Sequence, residues 1–490
     1  MESKGPSRLI APCVTACPAE IDVPRYIGYV ERGQFAEAEA VVRESIPLPA
    51  VCGLICYRPC EPWCRRGIME APVAINAIKR AAGDYDAAGL WRDRWPETIA
   101  IDTGKRVAVV GSGPAGLTAA YYLAKRRGHH VTLFEAMPEL GGQLRIGLPE
   151  YKVPRDTLRL EIDVICETRV EVRTGVWVED LDDLVAEFDA VLLAIGQTRP
   201  KNPGIEGQEL PGIRWAGDFL QDVNLGVDVE IGSRVVIFGG NNIAIDSARC
   251  ALRLGAKDVR VLIAGTRTGA GAYDFEFEAA EEEGVDFTEL VAPQRVVPLG
   301  SGLTVELVGL QVTETDAWGR GTFSPMPGSG FTLLADTVLV SSGQEADVPE
   351  SWGLGTTPDG VIKTGDASAT GRNGVFAAGD AVTGPDSIVE AMAQGKKVAI
   401  EIDRYLGGDG DISEGFAPEP GEEMVMPSHL AEQGKPPIVM SKAEAEHRVH
   451  SFEIVERGYS PEEAVAEARR CVRCDLWRHG APEVWSTQPG

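Results

Sequence analysis

A chain of 490 residues with a formal charge of −27 is long enough for about three domains, and its apolar content supports large cores. The negative charge argues against nucleic acid or an anionic membrane surface as partner, and suits solubility or docking onto a basic protein surface. No run of about eighteen apolar residues is present, so no membrane insertion is expected. Met1 to Pro12 carries no apolar signal core, so the expected location is cytoplasmic.

Ten cysteines in a chain without an export signal point away from structural disulfides. Eight lie near the two ends, while Cys166 and Cys250, far apart in the middle, read as core thiols. From the start, Cys13-Val-Thr-Ala-Cys17-Pro18 has the form of the closing half of a ferredoxin-type run, C-x3-C-P. Val23 to Ser45 reads as helical, broken in two at Gly33. Cys52, Cys56, Cys60 and Cys64 follow at four-residue steps. One helix face would give that spacing, but Pro59 and Pro62 would each remove a hydrogen bond and clash with the preceding turn. The better reading is a loop folded around a metal that bears the thiolate charge. Cys17-Pro18 and the lack of a nearby histidine favour iron–sulfur over zinc. Gly67 to Tyr85 reads as a helix with Pro72 near its start, leading into a linker rich in tryptophan and charge.

Val107 to Val110 reads as a short buried strand, Gly111-Ser112-Gly113-Pro114-Ala115-Gly116 as the turn into a helix from Leu117 to Arg127, and Val131 to Glu135 as the next strand. In that setting Gly111 allows the tight turn, Gly113 lets a pyrophosphate approach, and Gly116 lets helix pack on strand. The helix N-terminus offers free N–H groups to the phosphates. Glu135, about twenty residues on, stands where an acid binds a ribose hydroxyl. Gly141-Gly142 follows, fitting a backbone that passes close to a cofactor. Phe188 to Gly196 reads as a buried strand returning to the first sheet.

A second strand, turn and helix begins at Ser233 and carries Gly239-Gly240-Asn241-Asn242-Ile243, with the next strand at Val259 to Ile263. Asn241 stands where the middle glycine of the dinucleotide fingerprint belongs. Asparagine tolerates left-handed backbone, so the turn can survive, although its side chain can hinder the pyrophosphate. After the strand comes Ala264-Gly265-Thr266-Arg267, with one late arginine and no acid to exclude a 2′-phosphate. Local physics leaves NAD against NADP open. Ala335 to Gly343 reads as another buried strand that returns the chain to the first domain. Gly379-Asp380 follows, with Asp380 in place to hydrogen-bond a polyol or ribose, and then Ser387-Ile388 opening a helix.

Gly407 to Pro437 reads as an extended linker, Ser441 to Arg448 as a short helix, and Ser460-Pro461-Glu462-Glu463 as a helix start. That helix delivers Cys471-Val-Arg-Cys474. Joined to Cys13-x3-Cys17-Pro18, this C-x2-C pair completes a ferredoxin-like run split between the termini, if the arm folds back. An independent zinc knuckle or a redox dithiol are the alternatives.

Together these motifs resemble the glutamate synthase small-subunit family of FAD- and pyridine-nucleotide-dependent oxidoreductases. That group includes the large subunit of the electron-bifurcating transhydrogenase and the amino-terminal half of dihydropyrimidine dehydrogenase. The resemblance runs from Cys13 to about Cys474. It is carried by Pro47-Leu-Pro-Ala-Val-Cys52-Gly, Pro59-Cys60-Glu61, Pro72-Val-Ala-Ile75, Gly141-Gly142 through Pro149, and Glu467-Ala-Arg-Arg-Cys471. It implies an α/β fold of two Rossmann-like units, with the NAD unit inserted in the FAD unit, behind an α-helical iron–sulfur domain. The implied divisions are 1–100, 101–224, 225–344, 345–407 and a returning arm, 408–490.

The resemblance further implies one FAD, two [4Fe-4S] clusters and a nicotinamide nucleotide. FAD contacts are expected at Gly111, Ser112, Gly113, Pro114, Ala115, Glu135, Ala136, Gly142, Gln143, Leu144, Val178, Ala194, Gly196, Gly379, Asp380, Ser387 and Ile388. Nicotinamide contacts are expected at Gly239, Gly240, Asn241, Asn242, Ile243, Thr266, Arg267 and Gly343. Cys13, Cys64, Cys471 and Cys474 would hold one cluster and Cys17, Cys56 and Cys60 the other. The remaining ligand in some relatives is a Gln or Glu at the position of Lys79, which leaves Cys52, a solvent species or a three-cysteine site as options. Relatives that use NADPH carry Tyr-Arg-Arg where this chain has Ile263-Ala264-Gly265, so NAD(H) is expected over NADP(H).

FAD would then stand between a two-electron nicotinamide and one-electron clusters. No C-x-x-C lies in the second unit and no general base marks a substrate pocket, so no catalytic side chain is assigned. The expected function is an electron-transfer subunit of a larger complex, with iron–sulfur or other redox subunits as partners. The alternatives are the small subunit in NADPH-driven glutamate synthesis, and a scaffold that keeps clusters and flavin for structure alone.

Overall fold

The computed structural model describes residues 9–86, 99–167, 169–315, 321–417 and 435–476. The tryptophan-rich linker at 87–98 and most of the acidic linker, 418–434, lie outside the described residues.

Apolar runs closed by glycine turns form parallel strands here, because a strand covered on both faces needs no polar alternation. The first sheet runs Val375–Ala377, Ala190–Leu193, Arg106–Val110, His130–Glu135, Val170–Thr174, all parallel. The second runs Ile213–Trp215, Thr337–Val340, Arg234–Phe238, Asp258–Ile263, Asp286–Glu289, also parallel. Every strand of the second sheet lies in sequence between Ala190–Leu193 and Val375–Ala377 of the first, so one dinucleotide fold is inserted in the other. Ile213–Trp215 joins the second sheet ahead of residue 225. Thr337–Val340 is a strand of that sheet, and the chain regains the first sheet only at Val375–Ala377.

An antiparallel sheet of Val291–Leu299, Gly302–Thr315, Gly321–Pro325 and Phe331–Ala335 was not anticipated. It covers one face of the second sheet, packing Val305 and Leu307 against Val236, Phe238 and Leu262.

The N-terminal segment is helical: Val23–Glu31 and Phe35–Arg43, parted at Gly33, then Pro49–Ile55 and Ile75–Asp86. Its core is continuous with one face of the first sheet. Two expectations change here. Cys52 lies on a helix, not in a loop, because Pro59 and Pro62 fall beyond the end of Pro49–Ile55. The helix expected from Gly67 starts at Ile75. Arg65–Ile68 is a short 3-10 turn, and the carboxy-terminal arm holds the stretch after it extended. Arg470 donates to the carbonyls of Ala71 (2.7 Å) and Pro72 (3.0 Å), and Ala74 N–H donates to Glu467 at 2.9 Å.

The arm helix spans Pro461–Ala468, started by a reciprocal cap between Ser460 and Glu463. The short helix expected from Ser441 is confined to Ala445–Arg448, since Ala443 N–H pairs with the Val455 carbonyl at 2.8 Å. The arm packs on the N-terminal segment, and Leu9 N–H reaches the Asp475 carbonyl at 2.8 Å.

Candidate functional site

At the first turn, Gly111 has φ +102, and a Cβ there would lie 2.3 Å from the Ala194 carbonyl oxygen. A Cβ on Gly116 would lie 2.0 Å from the Gly111 carbonyl oxygen. Both obstacles are backbone, so neither position takes a side chain. A Cβ on Gly113 meets nothing within 4 Å, so the turn keeps open space on that side. Gly113 leads into the helix Pro114–Tyr121, whose first turn has no side-chain cap and whose N–H groups are available to an anion. That helix passes into a wider π-type turn over Tyr122–Arg126.

Glu135 is buried and braces this turn. One carboxylate oxygen accepts from Ser112 N (2.9 Å) and Ser112 Oγ (2.5 Å), and the other from Met137 N (2.8 Å). Ser112 Oγ in turn accepts from Gly141 N at 3.0 Å, which ties the first turn to the Gly141-Gly142 loop.

A cavity of about 780 Å³ opens over the turn, a size ordinary for a cofactor cleft, roughly 300–1,000 Å³. Gly111 to Ala115, Glu135, Ala136, Gly142 and Gln143 line it. So do Val178, Ala194, Gly196, Gly379, Asp380, Ser387 and Ile388. Leu144 does not: it is fully buried in the core below, so its expected FAD contact is not seen. At the far end the cavity reaches Asn241, Asn242, Ile243 and Gly343, whereas Gly239, Gly240, Thr266 and Arg267 stand outside its lining.

The chemistry of this lining suits a flavin nucleotide. Two buried polar atoms on it, Gln197 Oε1 and Trp352 Nε1, have no partner among the described residues, and a buried polar atom without one costs stability until a ligand supplies it. Asp380 is pushed up to about 7, by burial first and by the charge of Asp386 second. A polyol hydroxyl can hydrogen-bond it in either protonation state. Ser387 caps the helix Ile388–Tyr405 through Glu390 N at 3.2 Å.

Asn241 adopts φ −85, ψ 173, so no left-handed backbone is needed. Its side chain turns back on its own helix. Oδ1 accepts from Ala244 N at 3.0 Å and from Ser341 Oγ at 2.7 Å. Asparagine acts here as the N-cap of Asn242–Arg253.

Arg267 is committed elsewhere. Its guanidinium pairs with Glu281 and lies 3.5 Å from Glu289, while its backbone N–H donates to Glu289 at 3.0 Å. It also stacks over Phe287 (4.9 Å) and Phe277 (5.3 Å).

The cavity wall includes side chains that the sequence did not mark. Tyr57 stacks on Tyr273 with ring centroids 5.6 Å apart, and Tyr273 stacks on Phe275 at 5.5 Å. Tyr57 follows Cys56, so this stack joins the cysteine segment to the second nucleotide unit. Its position next to Cys56 was the one available signal. A buried ion network seats the second unit on the first: Lys152 Nζ lies 2.7 Å from both Asp246 and Glu276, and Tyr151 donates to Asp246 at 3.0 Å. Beside it, Glu283 is held at about 2: burial opposes ionisation, but hydrogen bonds from Arg253 and Arg249 prevail.

The end cysteines fall in two groups. The Cys13 thiol is buried and feels the charges of Cys471, Cys474 and Cys64, which raise its pKa after burial itself. Cys471 likewise neighbours Cys64 and Cys474. Burial raises the Cys64 and Cys471 pKa values, and nearby backbone N–H groups, Val73 first at Cys64 and Arg473 at Cys471, act to lower them. The second group is Cys17, Cys52, Cys56 and Cys60 around the Lys79 ammonium. Cys56 Sγ accepts from Arg58 N at 3.4 Å, and its pKa is lowered by the Cys52 hydrogen bond first and by Lys79. Of the mid-chain thiols, Cys250 is fully buried and Cys166 half-buried against the core.

Among the described residues, no three His, Cys, Asp or Glu side chains are set to hold a single metal ion. A zinc site draws its thiolates in around bonds of about 2.3 Å. A cuboidal cluster stands between its thiolates and holds them further apart. Sulfur donors with amide N–H groups aimed at them fit such a cluster.

Residues 105–395 match the pyridine nucleotide-disulphide oxidoreductase family, and residues 9–90 match the 4Fe-4S cluster domain II of dihydropyrimidine dehydrogenase. The chain is 36% identical to the beta subunit of the NADP(+)-dependent formate dehydrogenase of Moorella thermoacetica, over 95% of this chain and 70% of that one. It is 35% identical to the beta subunit of the NADPH-Fe(3+) oxidoreductase of Geobacter sulfurreducens, over 95% and 75%. Identity to the small chain of the NADPH glutamate synthase of Escherichia coli is 30%, over 80% and 88%. In fold it is similar to FprA of Mycobacterium tuberculosis, with TM-score 0.55 and 18% identity, over 75% and 99%. The protein is an NAD(P)H-dependent flavoprotein oxidoreductase with a 4Fe-4S domain, and it belongs to the glutamate synthase small-subunit-like family.

Proposed function

We propose that the chain passes electrons between NAD(H) and iron–sulfur centres through FAD, as one subunit of a larger redox complex. One observation carries this reading: a single cavity reaches from the first glycine turn to Asn241 and Asn242 at the second, with Cys56 and Tyr57 in its wall. Nicotinamide, flavin and the Cys56 thiolate would therefore meet in one space. Bound FAD supplies exchange between a hydride pair and single electrons. The chain's own part is to hold and orient. Glu135 and the Gly111–Gly116 turn take the adenosine and pyrophosphate end, Asp380 and the Ser387 helix take the polyol end, and Asn241 and Asn242 receive the nicotinamide nucleotide. Cys13, Cys64, Cys471 and Cys474 hold one [4Fe-4S] cluster, and Cys17, Cys56 and Cys60 anchor a second. The functional divisions follow 1–100, 101–224 with 345–407, 225–344 and 408–490, except that Ile213–Trp215 goes with the second unit.

NAD(H) is the nucleotide we assign. A 2′-phosphate needs an uncommitted cation at the end of Asp258–Ile263. The chain has Ala264-Gly265 there, and Arg267 is already paired with Glu281 and Glu289. The relatives compared above are named for NADP(H), so our assignment is one in which this chain differs from them. Those relatives are named as beta subunits, which supports a partner subunit that accepts or supplies the electrons. Steady-state kcat/KM with a dye acceptor tests the assignment: NADH is expected to exceed NADPH at least tenfold, and a preference for NADPH contradicts it. A flavin that neither nucleotide bleaches would support a purely structural scaffold.

A further inference from the structure

Lys79 is a cation placed among thiols. It is 5% exposed, and its Nζ donates to Cys52 Sγ at 3.0 Å. A buried ammonium is stable only when paired. Glu61, an acid whose charge it also meets, is turned to the Asn76 backbone N–H at 3.0 Å. The partner of Lys79 is therefore sulfur. Cys52 is 1% exposed, and Cys17 and Cys60 are each 7% exposed.

The pairing is fixed by how two helices cross. Pro49–Ile55 and Ile75–Asp86 approach so closely that a Cβ on Gly53 would lie 2.7 Å from Arg80 Cα, and one on Gly83 would lie 3.0 Å from Ala50 Cα. Asn76 Nδ2 donates to the Gly53 carbonyl at 2.8 Å and holds the crossing. Cys52 on one helix and Lys79 on the other thus face each other by construction. Cys56 lies one turn after Cys52, its N–H bonded to the Cys52 carbonyl at 3.1 Å.

We propose that Cys52 is the fourth ligand of the second cluster, and that Lys79 is a second-coordination donor to its sulfur rather than a ligand. This rests on the reading that Cys17, Cys56 and Cys60 anchor a cluster. An ammonium has three donors and no lone pair, so it cannot bind iron. A thiolate can, and its proton leaves to solvent as the iron–sulfur bond forms. A fourth thiolate adds one negative charge in a buried place, and the facing ammonium cancels it. Exchanging a neutral amide ligand for the Cys52 and Lys79 pair therefore keeps the net charge of the site. It also makes Lys79 a tuning group, since hydrogen bonds to cluster sulfurs help set the reduction potential.

The test uses the whole chain, prepared anaerobically, with iron and acid-labile sulfide per chain, low-temperature EPR and flavin content as readouts. Unsubstituted protein should hold about eight irons for two four-iron clusters. Cys52→Ala should lose iron from one cluster and gain an oxidised-state three-iron signal, while the other cluster and the flavin stay. Cys52→Ser, which keeps the side chain's shape and protects folding, should change the EPR of the same cluster. Lys79→Met should keep its iron and shift that cluster to a more negative potential. Unchanged iron and EPR in folded, flavin-replete Cys52→Ala or Cys52→Ser overturns the proposal. Iron for only one cluster in the unsubstituted protein defeats the two-cluster reading beneath it, a distinct result.

Discussion

At the scale of single residues, Gly113 and Asn241 do the same job in two ways. Both sit in extended backbone ahead of a helix, but Gly113 leaves space where Asn241 places a side chain. That side chain is folded back onto Ala244 N–H, so it caps the helix and stays out of the approach. This yields a contrast. Gly113→Ala should fold with stability within about 0.5 kcal/mol, since its Cβ meets nothing, yet it should retain little FAD because that Cβ occupies the space beside the turn. The flavin-to-protein absorbance ratio, read beside a denaturation midpoint, checks this. A flavin-replete variant would remove Gly113 from the site. The glycines and Glu135 were legible in the sequence because their roles follow from local backbone geometry. The Leu144 side chain lies in the core and off the cavity lining, because neighbours on such a loop alternate between facing the cavity and facing the core. The commitments of Arg267 to Glu281 and Glu289 were invisible, since those acids come from separate elements.

At the scale of elements, the strand, turn and helix units were readable because burial on two faces leaves a continuous apolar signature. The helix at Ile75 was misjudged because its start is set by distant chain. Without Arg470 and Glu467 on the stretch before it, Pro72 to Ala74 has no reason to stay out of the helix. Glu467 is fully buried and accepts from Ala74 N (2.9 Å), Ile438 N (2.8 Å) and Arg470 (2.6 Å). Glu467→Ala should leave the Ala74 and Ile438 N–H groups unpaired and take the carboxylate from Arg470, which keeps its carbonyl partners, and cost about 3–5 kcal/mol. It should also loosen Cys471 and Cys474, so iron per chain falls while flavin content holds. Iron retained at the unsubstituted level would mean that the arm is not needed to build the first cluster.

At the scale of the whole molecule, the cysteine segment and the carboxy-terminal arm meet at Leu9 and Asp475, and the inserted nucleotide unit is pinned over the cavity by the Lys152, Asp246 and Glu276 network. The insertion itself was legible from the order of motifs. The meeting of segment and arm was readable only as a split ferredoxin-like spacing. The Tyr57, Tyr273 and Phe275 stack was signalled only by Tyr57 following Cys56, because its rings come from a loop, a helix N-cap and the first turn of Asp274–Glu282, which share no periodicity. The cavity runs from the first glycine turn to Asn241 and Asn242 and passes Cys56 on the way, and the charge of −27 suits docking onto a basic protein surface.

The most direct measurement is an anaerobic titration of the purified chain with NADH, followed by flavin absorbance and low-temperature EPR on the same samples. The account predicts that the flavin bleaches and that reduced iron–sulfur signals grow in step with added NADH. A flavin that bleaches while the clusters stay oxidised at every NADH excess, with a low-potential mediator still able to reduce them, would contradict electron passage between the two.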